Sequence, residues 1–559
     1  MRLALAVICA LSLAACGEDG ETFDDPGGSG GGIGGSGGAG GIGGTGGSGG
    51  SSEPTAWVEC DDGDGECATF DVPLDWDAPD GEQLPFFVRR FPARGASKGQ
   101  LWLLEGGPGV AGWSMYELQP YFERIAPGFD VYVPDYRGVG HSAWLGCEGQ
   151  PGDVVRAGCR ADLLEKWGDK LAHFSTSDAA RDIGHTIEQV RQPGEAVYVY
   201  GTSYGTFVGN RYLTLFPDQP DAVVLDSVCP ASGCDVRMDR NFTLVAQHVF
   251  ADLCAQDALC SSKLGADPWA HALSVLDAVG QGHCSELFGP QSRMFLEAAI
   301  AYTVTNPETL AAATAAIYRA ERCEAGDVAA VQELVSTLFG GAGGFAAEAP
   351  APSGQMSEYL GNHIVFSEFW PEGLDLAAAE AELDELPVRL GALTGRASDR
   401  ERWTWPFYDT PDGLMRWADT DAPVLLLDGD LDAQTHLNGL ADVEQSFTAQ
   451  WQHFVQVPMG GHGTIFWSGP GARNPRMPCG MELIEAFFAN PRGALDTTCA
   501  QTAPAADFAG DPAIARMLFG TSDFWEDATS AAQAIPPLPT ARQLKALDAV
   551  RRLVRETHR

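Results

Sequence analysis

The chain has 559 residues, 45% of them apolar and 20% charged, enough for one large domain with an insertion or for two domains. Its 76 Asp and Glu against 35 Lys and Arg give a formal charge of −41, which excludes nucleic acid as a natural partner. The 14 cysteines point to an oxidising compartment.

Taken from the N-terminus, the apolar run from Leu3 to Leu13 is too short to span a bilayer and reads as the core of an export signal. It ends in Leu13-Ala14-Ala15-Cys16, which resembles the lipobox of bacterial lipoproteins. That resemblance implies cleavage after residue 15 and acylation of the Cys16 thiol. The protein would then sit in the cell envelope, lipid-anchored to a membrane and facing away from the cytoplasm, with plain secretion as the alternative. Residues 16–55 follow as a tether, and Pro26–Ser52 is almost wholly Gly and Ser, a composition that cannot bury enough apolar area to order itself.

Setting aside Cys9 and Cys16 leaves twelve cysteines, an even set. Cys60/Cys67, Cys147/Cys159, Cys229/Cys234 and Cys254/Cys260 are close in sequence, and Cys284/Cys323 and Cys479/Cys499 would complete six bridges. No CxxC pair or suitably spaced His argues for zinc. Asp61-Asp62-Gly63-Asp64 lacks the distal Glu of a calcium loop and reads as a turn stapled by Cys60 and Cys67. No metal or cofactor is expected.

From about Cys67 strand-like runs alternate with helical patterns, which predicts an α/β fold with a mostly parallel sheet flanked by helices. Residues 68–76 and 84–91 predict an opening antiparallel pair. Further strands are predicted at 101–104, 129–134, 196–200, 222–225, 423–427 and 454–457, with a helix at 178–191. Between Asp226 and Ala422 the pattern turns helical and Ala-rich, as at 295–301 and 310–322, and Gly340–Gly354 reads as a mobile loop. The expected layout is therefore a core at 56–228, a helical cap at 229–420 between the sixth and seventh strands, a second core segment at 421–500, and an extension at 501–559. The extension ends in a basic amphipathic stretch, residues 542–559, read as a surface helix.

Chemistry concentrates at the strand ends. Gly201-Thr202-Ser203-Tyr204-Gly205 follows one strand and opens a helical pattern, the context of the nucleophile elbow of α/β-hydrolases. Ser203 is the candidate nucleophile. A serine hydroxyl needs a base, itself oriented by a carboxylate, and in this fold the chain order is Ser, acid, His. His462, among glycines past the last strand, is the candidate base, with His141 and His436 as runners-up. Asp428, Asp430 and Asp432 all lie after the preceding strand and are all candidate acids. Acyl transfer also needs an oxyanion hole. The amide of Tyr204 is one candidate donor, and Gly106-Gly107-Pro108-Gly109 supplies the other through Gly107, since proline has no N–H.

Together, Gly106-Gly107-Pro108-Gly109, Asp135-x-Arg137-Gly138-x-Gly140-x-Ser142 and Gly201-x-Ser203-Tyr204-Gly205-Thr206 resemble the proline iminopeptidase family. Gly429-x-x-Asp432-x-x-Thr435 and Gly461-His462-Gly463 are similar to its exported branch, the tripeptidyl aminopeptidases. The likeness runs from roughly Ala68 to Cys499. It implies an α/β-hydrolase core with a helical cap, Asp432 as the acid, and removal of residues or short peptides from free N-termini. Glu105 departs from the family pattern and would anchor a substrate ammonium or bond a neighbouring amide. Glu368, in Ser367-Glu368-Phe369-Trp370, falls in a segment where the family uses a carboxylate for the free N-terminus. The expected function is an exported serine aminopeptidase acting on peptides. The alternatives are a carboxylesterase or lipase with the same triad, and a non-catalytic surface lipoprotein.

Overall fold

A computed structural model describes residues 57–525, apart from 148–157, 235, 340–354, 392–399, 401–404 and 503. The expected signal and tether with Cys16, the loop at 340–354 and the stretch at 542–559 lie outside the described residues. Nine strands form one sheet: β1 (Val58–Glu59), β2 (Glu66–Pro73), β3 (Gln83–Phe91), β4 (Gly99–Leu104), β5 (Phe129–Pro134), β6 (Ala196–Ser203), β7 (Ala222–Val228), β8 (Val424–Gly429) and β9 (Gln452–Val457). Their order is β1-β2-β3-β5-β4-β6-β7-β8-β9. The first three neighbouring pairs are antiparallel, and every pair from β5/β4 onward is parallel.

All eight expected strands are present. The two-residue β1 at the sheet edge adds a ninth, so the insertion expected between the sixth and seventh strands lies between β7 and β8. Strands β4, β7 and β8 are buried along their whole length, which is why they read as unbroken apolar runs rather than alternating ones. In β4 the faces still divide. Trp102 and Leu104 join the core that includes Val199, Phe207 and Ile183, while Leu101 and Leu103 meet Leu483, Ile484 and Phe487 of the helix Cys479–Ala489. The helix Thr176–Val190 starts where Ser175 accepts a bond from the Asp178 N–H, an N-cap that satisfies an otherwise orphaned donor.

The insertion divides in two. Its helices Asp239–Gln247, Ser292–Thr303, Leu310–Arg322 and Ala325–Phe339 enclose a separate core, which is completed by Phe508, Ile514, Leu518 and Trp525 from beyond the sheet. There Arg319 lies buried between Asp327, at 3.1 Å, and the Phe524 carbonyl, at 2.6 Å from Nε. Tyr359, Leu360, Phe366, Trp405 and Trp417, later in the insertion, belong instead to the core over the sheet. Six disulfides join the pairs expected from spacing. The Asp61–Asp64 turn is stapled as expected, and Asp62 is paired with Arg89 at 2.8 Å. Among the described residues no helix is long and apolar enough to cross a membrane.

Candidate active site

Because β4 and β6 to β9 run parallel, their C-terminal ends gather at one edge, where open α/β sheets place their sites. Ser203 ends β6 with φ +57° and ψ −128°, and the helix Tyr204–Leu215 begins at the next residue. That conformation is costly for a residue with a side chain and is held by its surroundings. A Cβ on Gly201 would lie 2.3 Å from the Gly205 carbonyl oxygen, and one on Gly205 would lie 2.2 Å from that of Leu104. The Gly-x-Ser-x-Gly spacing is thus enforced by backbone contact on both sides of the turn. Thr206 Oγ1 donates to the Ser203 carbonyl at 2.6 Å and accepts from the Cys229 N–H at 2.9 Å, tying the elbow to the end of β7.

The acid loop after β8 and the histidine loop after β9 meet directly. His462 Nδ1 lies 2.8 Å from Asp432 Oδ2, with the carboxylate fully buried. Asp432 also accepts from the Thr435 hydroxyl at 2.9 Å and from the amides of Gln434 and Thr435 at 2.9 and 3.0 Å. Burial alone would raise its pKa, but the His462 ring and these donors outweigh it and hold the carboxyl at about 2. Its neighbours are placed differently. Asp428 is buried and accepts from the amides of Val228 and Gly429; burial and the Asp432 charge push its pKa well up. Asp430 faces His248 at 3.7 Å. Of the other histidines, His141 is exposed beside Asp135, and His436 accepts from the Asn438 amide at the start of a short turn.

Two residues that the sequence reading left outside the strand hold the histidine loop. The apolar run ends at Leu225, before the first polar side chain, yet β7 continues through Asp226 and Ser227. Asp226 accepts from the Thr464 amide at 2.9 Å, the Ile465 amide at 3.0 Å, the Thr464 hydroxyl and the Tyr200 hydroxyl. Ser227 accepts from the Gly463 N–H at 2.7 Å. Polar residues directly after an apolar strand were the available signal.

On the other side of Ser203, a Cβ on Gly106 would lie 3.2 Å from that of Ser203. The Gly106 amide donates to Glu105 Oε1 at 2.8 Å. The other Glu105 oxygen accepts from the Ser114 hydroxyl. Of the two roles expected for Glu105, the structure therefore displays the amide-bonding one. Glu368 lies under the elbow helix with its side chain fully buried. Oε2 is 3.1 Å from Arg211 Nη2, while Oε1 accepts from the Thr176 amide at 3.0 Å and from the Tyr408 hydroxyl. Thr176 in turn bonds the Tyr204 hydroxyl at 2.9 Å. The expected N-terminus ligand is thus engaged on both oxygens within the protein. The Asp135-x-Arg137-Gly138-x-Gly140-x-Ser142 motif is structural as well. Asp135 accepts from the Gly112 and His141 amides, a Cβ on Gly140 would lie 2.0 Å from its Oδ2, and Arg137 is buried against Asp182 at 2.7 Å. Among the described residues, the one grouping of potential metal donors, Cys284, Glu286 and Cys323, contains a disulfide and has no free thiolate.

Residues 101–246 match the alpha/beta hydrolase fold family. With the nine-stranded sheet and its flanking helices, that decides the fold. The chain has the α/β-hydrolase fold. Serine protease Hip1 of Mycobacterium tuberculosis (strain ATCC 25618 / H37Rv) is 29% identical over 260 residues, covering 40% of this chain and 49% of that protein. Tripeptidyl aminopeptidase of Streptomyces lividans is 32% identical over 193 residues, 29% of this chain and 35% of that one. Proline iminopeptidase of Aeromonas sobria is 32% identical over 161 residues, 28% and 35% respectively. All three carry peptidase names. The chain spans about half or less of the length of these relatives.

Proposed function

We propose that this α/β-hydrolase is an exported serine aminopeptidase that releases residues or short peptides from free N-termini. The observation that carries the reading is the pairing of His462 with a buried, ionised Asp432 at the same sheet edge as the strained Ser203. In this reading Ser203 Oγ attacks the scissile carbonyl and His462 Nε2 takes its proton. His462 passes that proton to the leaving amine while Asp432 holds the ring in the tautomer whose Nε2 carries no hydrogen. The amides of Gly107 and Tyr204 stabilise the oxyanion, and water, deprotonated by His462, then releases the acyl group. Glu368 serves the scaffold beneath Tyr204, paired with Arg211 and bonded to Thr176. Glu105, directly before the oxyanion loop, holds the loop through the Gly106 amide and Ser114. The cysteine pairing supports action outside the cytoplasm, and the Leu13–Cys16 sequence supports a lipid anchor.

The test is to incubate the chain with a fluorophosphonate probe and with matched free-amine and N-acetylated tripeptidyl amides and a short-chain ester. Labelling lost in Ser203→Ala, with cleavage of the free-amine amides alone, is the expected result. Ester cleavage without amide turnover would move the protein to the esterases. Labelling that survives in Ser203→Ala would remove Ser203 from the mechanism.

A further inference from the structure

The loop bearing the candidate oxyanion donor is fixed at its near end by β4, and at its far end by the insertion together with the Gly112 N–H bond to Asp135. Ala111 N–H donates to the Gln355 carbonyl at 2.8 Å, and Ser357 N–H donates to the Gly109 carbonyl at 2.8 Å. Val110 and Met356 stand opposite each other as an antiparallel bridge between these bonds. Gly109 has φ +87°, and a Cβ there would lie 2.5 Å from the Ser357 carbonyl oxygen and 2.8 Å from the Gly361 nitrogen. The insertion side is itself anchored. Ser357, buried at 3% exposure, donates its hydroxyl to the Leu145 carbonyl and accepts from the Leu360 N–H at 3.0 Å, capping the helix Glu358–Ile364. Leu360 sits in the space left by Gly138, whose Cβ would come within 2.9 Å of it.

This arrangement answers a physical need. An oxyanion donor helps only when it is aimed before the charge develops. A loop reading Gly-Gly-Pro-Gly contains three residues of high backbone freedom, so unrestrained it would surrender much of that preorganisation. Two backbone bonds to a capped helix start remove the freedom at the end where β4 cannot.

Resting on the hydrolase reading above, we propose that Gln355–Ser357 is a working part of the oxyanion hole. By clamping Gly109–Ala111 it positions the Gly107 amide, so the insertion contributes to transition-state stabilisation and not only to covering the site. Ser357 is then a positioning residue for the reaction.

The experiment compares the full chain with Gly109→Ala, Ser357→Ala and Ser357→Thr. It measures kcat and KM, and affinity for a peptide aldehyde, whose adduct with the serine carries an oxyanion, against affinity for the corresponding product peptide. Gly109→Ala is expected to lower kcat by roughly 10²–10³-fold, the size of losing one oxyanion donor. KM and product affinity should stay within about twofold while aldehyde affinity falls in parallel with kcat. Ser357→Ala keeps both backbone bonds but cuts the hydroxyl tether; it should lose about tenfold in kcat, with Ser357→Thr restoring most of it. If Gly109→Ala does not fold, the Ser357 pair carries the same test. Unchanged kcat and aldehyde affinity in folded variants of a reactive wild type would overturn this proposal alone. A wild type inert to the fluorophosphonate would overturn it together with the hydrolase reading.

Discussion

Glu368 and Arg211 offer a sharp test of whether the insertion carboxylate serves the substrate or the scaffold. Their side chains are 0% and 1% exposed, and they meet at 3.1 Å. Arg211 also donates to the Ser177 hydroxyl, and Glu368 accepts from Thr176 and Tyr408. Replacing Arg211 with Met leaves a buried carboxylate with two neutral donors. Breaking a pair of this kind costs about 3–5 kcal/mol, whereas replacing both partners with apolar groups is close to neutral. Urea unfolding should therefore show Arg211→Met and Glu368→Met each destabilised by that amount, with Arg211→Met/Glu368→Met recovering at least half of it. Because water is excluded, raising ionic strength from 0.1 to 1 M should leave the difference nearly unchanged. Turnover of free-amine amides should follow stability, with the double variant more active than either single one. A loss below about 1 kcal/mol in Arg211→Met, or a double variant as inactive as Glu368→Met yet as stable as wild type, would refute this reasoning and return Glu368 to the substrate.

Asp432→Asn should lower kcat by about 10³–10⁴-fold with little change in KM, since an amide facing His462 Nδ1 favours the wrong tautomer; steady-state kinetics on any cleaved substrate checks this. His363 is buried, its Nδ1 accepting from Trp405 Nε1–H at 2.9 Å and its Nε2 2.9 Å from the Leu171 carbonyl, and burial lowers its pKa to about 4. A group depressed from 6.5 contributes stability that is present above pH 6.5 and lost as pH falls towards 4. His363 should contribute about 3 kcal/mol to the decline in unfolding free energy across that window, and His363→Phe should remove that part of it. The Cys284–Cys323 disulfide closes a loop with a sequence separation of 39. Replacing both cysteines with Ser should cost about 4 kcal/mol by the loop-entropy estimate, read from unfolding of that variant against wild type.

The sheet was legible because its strands are short, buried on both faces and separated by helical patterns, so periodicity located all eight major strands. It misjudged where they stop. Reading 196–200, 222–225 and 423–427 as complete strands follows from ending each at the first polar residue or glycine. The observed strands reach Ser203, Val228 and Gly429. Those extra residues are where the site lies, because polar groups at a sheet edge can be satisfied by neighbouring loops instead of by water. Gly201 and Gly205 announced themselves as a motif because backbone packing leaves no room for a Cβ. Asp226 and Ser227 showed only as polar residues ending an apolar strand, and Ser357 not at all, since their partners lie more than 200 residues away. The insertion was legible as helical but not as two bodies of different allegiance, because Ala-rich helices look alike whichever core they join.

The three aspartates after β8 show most plainly what sequence leaves undecided. Within Asp428-Gly429-Asp430-Leu431-Asp432 the residue type is constant and only the surroundings differ. Leu431 and Ala433 enter the separate core of the insertion, and this rotates Asp432 towards His462 while Asp430 meets His248 on an insertion helix. Asp428 stays within β8, bonded to the amides of Val228 and Gly429. Two carboxylates buried this close together do not both ionise readily. The one facing the imidazole and three further donors keeps its charge, and that charge helps drive Asp428 towards its neutral form. The assignment of the candidate acid thus depends on how the insertion seats the loop, and so does the oxyanion loop through Ser357. On that account the helices between β7 and β8 are part of the proposed hydrolytic site, and a chain lacking them would lose more than a cover over its substrate.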